Sequence, residues 1–296
     1  MQAKRIIGVV LVFLVLVGLV IFWLTTPSPE TAVTPITEPV IQVEPTSTST
    51  QSVIGYSVEK RPIEVYTFGT GETNLLFVGG IHGGYEWNSI LVAYEMIDAF
   101  IGETITVPEN ITVHIIPNLN PDGLYAATNL EGRFAMTDIP NNDMHTSGIG
   151  RFNANNIDLN RNFDCRWAES ATWRGNTVSA GVAPFSEPEA VALRDYVDTI
   201  DPAAAVFWHS QAGNVYGSEC GGEVTPQTLA LMQAYAISGS YGQVPIFDAY
   251  TVTGAAEDWL ASLGVPTVSV ELVTRTSSER EKNLAGTEAV LELYAK

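Results

Sequence analysis

Two histidines and two glutamates stand where a chain of alternating strands and helices would gather reactive side chains. His82 follows the apolar run Leu75-Leu76-Phe77-Val78 through Gly79-Gly80-Ile81, and Glu86 stands where the next helical pattern opens. His209 closes Ala205-Val206-Phe207-Trp208, and Glu271 closes Val268-Ser269-Val270. Two imidazoles and one carboxylate are the donor set of a catalytic zinc, which keeps a position open for water, and the remaining carboxylate is then free to act as a base. One Zn2+ per chain is therefore expected on His82, Glu86 and His209, with Glu271 as general base. A lone histidine beside a strand is more often a hydrogen-bonded residue than a ligand. His114, inside Thr112-Val113-His114-Ile115-Ile116, and His145, in a Gly/Asn-rich stretch, keep that plainer assignment.

Such residues converge only if strands carry them to one edge of a sheet. Short apolar runs predict buried strands at Asn74–Gly79, Ile111–Ile116, Ala203–Trp208 and Thr267–Leu272. Between and after them, amphipathic patterns predict helices over Asn88–Ile101, Ser186–Ile200, Thr225–Ser240 and Gly286–Tyr294. The alternation implies an α/β fold: a mixed, mostly parallel central sheet with helices on both faces, and ligands beyond the C-terminal strand ends. Residues 53–296 are read as this one catalytic domain.

The first 52 residues are different in kind. Ile6–Leu24 is a run of 19 uncharged, mostly aliphatic residues behind Lys4 and Arg5. As a helix it would span roughly 28 Å, the thickness of a bilayer core. Residues 1–24 are read as a signal anchor with the N-terminus inside, so the chain is expected at the cell membrane, single-pass, with its catalytic domain outside; secretion after cleavage is the alternative. Residues 25–52, with 12 Ser or Thr and five Pro, are read as a linker. The net charge of −19, with no basic stripe, argues against a nucleic-acid partner. Two cysteines are too few for a disulfide scaffold, but outside the cytoplasm Cys165 and Cys220 are expected to pair and brace the loop after Arg161, two buried free thiols being the alternative.

In their order along the chain, the motifs resemble the zinc carboxypeptidases of the carboxypeptidase A type, and the compact bacterial members in particular. Gly80-Ile81-His82-Gly83-Gly84-Tyr85-Glu86 is similar to the first metal motif, and Asn120-Pro121-Asp122-Gly123 to a turn that shapes the site floor. Asp158-Leu159-Asn160-Arg161-Asn162 resembles the substrate-carboxylate motif, His209-Ser210 the third metal ligand, and Ser269-Val270-Glu271-Leu272 the catalytic strand. The segment from Tyr250 through Gly254 to Asp258-Trp259 is similar to the mobile tyrosine region. One departure stands out: three residues rather than the family's two separate His82 from Glu86, and Gly83 and Gly84 must absorb the extra one.

The resemblance implies that Arg151, with Arg133 as the alternative, stabilises a developing oxyanion. It also implies that Asn160, Arg161 and Tyr250 receive the free C-terminal carboxylate of a peptide substrate. Glu257 falls where the family lines the pocket for the terminal side chain, so a preference for basic residues or diaminopimelate is expected, against the plainer reading of a helix-end charge. The implied function is a membrane-anchored zinc carboxypeptidase acting on extracellular or cell-wall peptides. The alternatives are a zinc amidase or deacylase of N-acyl amino acids, and a surface binding module that has lost its zinc.

Overall fold

The computed structural model describes residues 49–140 and 147–296. The anchor (1–24), linker residues 25–48 and His145 lie outside the described residues. Among those described, no helix is long and apolar enough to cross a membrane.

Among the described residues, ten strands and six α-helices follow one another. The strands are β1 (Ser49–Tyr56), β2 (Pro62–Gly69), β3 (Thr73–Val78), β4 (Ile111–Ile116), β5 (Ser170–Trp173), β6 (Asn176–Ser179), β7 (Ala204–Ser210), β8 (Asn214–Gly217), β9 (Gly242–Val244) and β10 (Thr267–Leu272). The helices are α1 (Trp87–Ile101), α2 (Pro121–Thr128), α3 (Pro188–Ile200), α4 (Pro226–Gly239), α5 (Ala256–Ser262) and α6 (Arg280–Tyr294). Eight strands form one sheet in the order β1-β2-β4-β3-β7-β10-β8-β9, and β5 and β6 form a separate hairpin. The four central strands β4, β3, β7 and β10 are parallel, whereas β2 and β8 run antiparallel to their central neighbours. The expected mixed, mostly parallel α/β sheet is thus present.

The central strands read as mostly apolar runs because both of their faces are covered. Successive side chains alternate sides. Phe77, Val206, Trp208 and Val270 enter one core with α1, α4 and α6; Leu76, Val78, Ala205 and Phe207 enter a second core with α3 and α5. His114 faces the second side and is buried, bonded to Asn74 Oδ1 (3.0 Å) and the Tyr196 hydroxyl (2.8 Å), as its plainer assignment anticipated.

The structure adjusts three expectations. Asn120 to Gly123 is not a free-standing turn but the start of α2: the Asn120 side chain accepts from Gly123 N at 2.8 Å, and Pro121 supplies the first-turn geometry. Helix α6 begins at Arg280 rather than Gly286, because its first turn is charged and carries no apolar signal. Strand β1 takes in residues 49–52, placed by sequence at the end of the linker, and pairs them with β2.

Candidate active site

The chain folds so that three neighbouring parallel strands deliver the predicted ligands to one sheet edge. His82 lies just beyond β3, His209 within β7 and Glu271 within β10, with Glu271 directly opposite His209 in the parallel register. The extra residue between His82 and Glu86 is absorbed by a tight 3-10 turn, Gly83–Glu86, in which Gly83 takes φ +45°. A Cβ on Gly83 would come 2.7 Å from Gly150 O, and one on Gly84 would come 2.4 Å from the Ala127 methyl, so this close turn requires glycine at both positions.

The turn returns Glu86 to the site. One donor atom each from His82, Glu86 and His209 lie within 4.8 Å of one another, all three buried. Glu86 Oε2 is 3.2 Å from His209 Nδ1 and accepts from Ser210 N at 3.1 Å. His82 Nδ1 is buried without a hydrogen-bond partner, 3.7 Å from Asp158 Oδ1. Burial pushes the His82 pKa down and Arg151 lowers it further, which favours the neutral imidazole that a metal needs. Burial alone would raise the Glu86 pKa, but His82, His209 and Arg275 hold it at about 2. A compact nitrogen and oxygen donor set with an orphaned buried imidazole nitrogen fits a zinc ion.

Glu271 differs. Its Oε2 is cut off from solvent and lacks a hydrogen-bond partner, and burial together with the Glu86 charge lifts its pKa to about 7. A carboxyl so tuned can both take and return a proton near neutral pH.

All nine predicted site residues line one cleft of about 790 Å³. Arg151 is buried there, with Nε and Nη2 both on Asp158 Oδ2 at 3.0 and 2.8 Å, whereas Arg133 is exposed on the surface and pairs with Asp98 at 2.7 Å. Arg161 is 3% exposed; its Nη1 donates to Asn160 O at 2.6 Å and its Nε has no partner. Asn160 is partly committed to scaffolding, since its Oδ1 accepts from Ala256 N at 2.8 Å at the start of α5. Tyr250 stands at the rim, 42% exposed, with its ring edge-on to Phe247.

Glu257 lines the cleft at a helix start and is not a solvent-exposed helix-end charge. It sits in the first turn of α5 yet is buried, and its Oε1 meets His209 Nε2 at 2.6 Å while Oε2 has no hydrogen-bond partner. The contact leaves His209 Nδ1 turned toward Glu86. The disulfide Cys165–Cys220 is formed, and Gly254 N donates to Cys165 O at 2.8 Å, tying together the loops that carry Arg161 and Tyr250.

Sequence reasoning missed three features of the cleft. Asp158 holds Arg151 and faces His82, a role that its place two residues before Asn160 could have suggested. Arg275, four residues after Glu271, reaches 3.6 Å from Glu86 Oε1. The Tyr85 and Trp173 rings, 5.3 Å apart and edge-on, come from positions 88 residues apart that no local pattern connects.

A sheet with two imidazoles and two carboxylates at one edge of its parallel core is the architecture of a metallohydrolase. Residues 40–281 match the family of zinc carboxypeptidases, peptidase family M14, and the chain belongs to that family. Its members are zinc-dependent hydrolases. The chain is 25% identical over 246 residues to a gamma-D-glutamyl-L-diamino acid endopeptidase of Lysinibacillus sphaericus, covering 76% of this chain and 60% of that protein. Its fold resembles the murein-tripeptide amidase of Escherichia coli O157 (TM-score 0.59, 23% identity, 83% of this chain and 93% of that one). It also resembles the carboxypeptidase A of Helicoverpa armigera (TM-score 0.65, 19% identity, 83% and 69%). The chain spans about half to three fifths of the length of the curated relatives it matches.

Proposed function

We propose that this chain is a carboxypeptidase that removes the C-terminal residue of extracellular, cell-wall-derived peptides, preferring leaving residues that bear an amine. The observation that carries this reading is Arg161: a buried guanidinium beside the three-donor centre, with no ion-pair partner among the described residues. Burying a cation without a counter-charge is costly, and a bound carboxylate relieves that cost through paired, charge-assisted hydrogen bonds.

His82, Glu86 and His209 would hold zinc, which when bound would supply a Lewis acid able to polarise a carbonyl and lower the pKa of water to about 7. Glu271 holds the abstracted proton and passes it to the departing amine. Arg151, fixed by Asp158, offers its cation to the developing oxyanion. Tyr250 closes the rim over the terminal residue. Glu257 orients His209 through Oε1 and presents Oε2 to an ammonium on the leaving side chain.

The murein-directed names of the relatives support a cell-wall peptide as substrate. The apolar run Ile6–Leu24 behind Lys4 and Arg5, followed by the Pro/Ser/Thr-rich stretch, supports a membrane-anchored enzyme facing outward. The test is a library of peptides assayed for C-terminal residue release with and without a chelator. Release that stops on chelation and requires a free C-terminal carboxylate is the expected result. Cleavage of N-acyl amino acids but not of peptides would assign the same centre to an amidase.

A further inference from the structure

The cleft gathers more arginines than one terminal carboxylate needs, among six carboxylates that also line it. Five of the chain's 14 basic residues line it, Arg151, Arg161, Arg166, Arg174 and Arg275, in a protein of net charge −19. Arg151 is neutralised by Asp158, and Arg166 by Glu219 (2.7 Å) and Asp258 (2.8 Å). Arg275 is not. Its side chain is 15% exposed, its Nη1 is buried without a hydrogen-bond partner, and its carboxylate neighbour among the described residues is Glu86 Oε1 at 3.6 Å, which is committed to the metal centre.

The Arg275 guanidinium lies over the Tyr85 ring at 4.4 Å, and that of Arg174 lies 5.4 Å from the ring of Trp173. Arg174 and Gly175 form the two-residue turn of the β5–β6 hairpin, both at positive φ, which fixes the turn as a tight one. The loop carrying Arg275 is fastened from two sides. Asn88 Nδ2 donates to Thr274 O (2.7 Å) and Ser277 O (3.0 Å), and Glu279 Oε1 accepts from Val273 N and Thr274 N. A guanidinium stacked by its face on an aromatic ring keeps its N–H edge for in-plane bonding to a carboxylate.

Arg161 belongs to a different wall, built by the Leu159–Arg161 turn and the segment that ends at Glu257. A peptide whose terminal carboxylate meets Arg161 must cross the His82–Glu86–His209 centre, which places its acyl side on the wall of Tyr85 and Arg275. We propose that Arg275, assisted by Arg174, is a second anion subsite, one that binds a carboxylate on the residue donating the scissile carbonyl. Preferred substrates then carry two carboxylates flanking the scissile bond. The second is either an acidic side chain of an α-linked residue or the free α-carboxylate of a residue linked through its side chain. This subsite rests on the carboxypeptidase reading above.

The test uses peptides with one leaving residue and four acyl-side residues: γ-linked glutamate with a free α-carboxylate, its α-carboxamide, α-linked glutamate and α-linked glutamine. The wild-type protein should favour one carboxylate form over its amide by about ten- to a hundredfold in kcat/KM, the range of a charge-assisted hydrogen bond. Which pair shows the preference identifies the source of the anion. In Arg275→Gln that ratio should fall to near unity, and in Arg174→Gln, on an exposed turn, it should fall part of the way, with zinc content retained in both. Equal rates for acid and amide in the wild-type protein overturn the subsite while leaving the carboxypeptidase reading intact. An Arg275→Gln protein that binds zinc more weakly and slows every peptide alike makes Arg275 an anchor for Glu86 and overturns the subsite as well. No release from any of the four peptides removes the carboxypeptidase reading, and the subsite with it.

Discussion

Glu271→Gln separates the base from the ligands at the scale of a single residue. The substitution keeps size and removes proton acceptance, so turnover should fall by about two to four orders of magnitude while zinc affinity in a metal-buffer competition stays at the wild-type value. His209→Ala should instead release the metal, because two donors remain. For Glu257→Gln the expected signature is selectivity: kcat/KM for lysine or diaminopimelate leaving groups should drop roughly ten- to a hundredfold more than for leucine. Equal losses on both would leave Glu257 as a support for His209 alone. The nine candidate residues stand out in the sequence because each ends a strand or lies within or beside an ordered motif, and the structure brings all nine to one cleft. Arg275 has no period or sequence neighbour that marks it, and Asp158, although inside the Asp158-Leu159-Asn160-Arg161-Asn162 motif, carries no local sign of its partner; only the folded chain brings Arg275 beside Glu86 and Asp158 beside Arg151.

Elements, more than single side chains, set the reach of these groups. The 3-10 turn at Gly83–Glu86 has no room for a Cβ, so Gly83→Ala should cost roughly 1–3 kcal/mol in chemical denaturation. Because Glu86 ends the same turn, zinc affinity should weaken with it, and unchanged affinity would show that the turn can relax without moving the ligand. The Cys165–Cys220 bridge, with a sequence separation of 55, closes a stretch that begins four residues after Arg161. Replacing both with serine should lower stability by about 4 kcal/mol on the chain-entropy account, read as a shift in the denaturation midpoint. The four central strands were legible from composition because burial on both faces leaves them mostly apolar, with a few polar positions such as His114, His209 and Glu271. β1 was hidden for the opposite reason: Ser49-Thr50-Gln51-Ser52 is exposed, and its polar residues continue the composition of the segment before it.

For the molecule as a whole, His114 couples stability to pH from within the second core. Burial holds its imidazole neutral and pushes the pKa down to about 4, against about 6.5 in an unfolded chain. The unfolded state therefore takes up a proton below about pH 6.5 that the folded state refuses until about pH 4. Stability from this group is full above pH 6.5 and falls by roughly 3 kcal/mol across that window. Urea denaturation at several pH values should show a shallower acid-side decline in His114→Gln than in the wild-type protein, and parallel profiles would contradict the assignment. The candidate metal site and the cleft need this fold intact, since their residues come from strands and loops spread between His82 and Arg275. The central claim, that His82, Glu86 and His209 hold the ion on which C-terminal hydrolysis depends, is tested most directly by titrating zinc into chelated protein while following release of the C-terminal residue from a peptide. Activity should be absent at the start, rise in proportion to zinc and reach a plateau at one equivalent; activity in the metal-free protein, or zinc bound at one equivalent with no release, would contradict it.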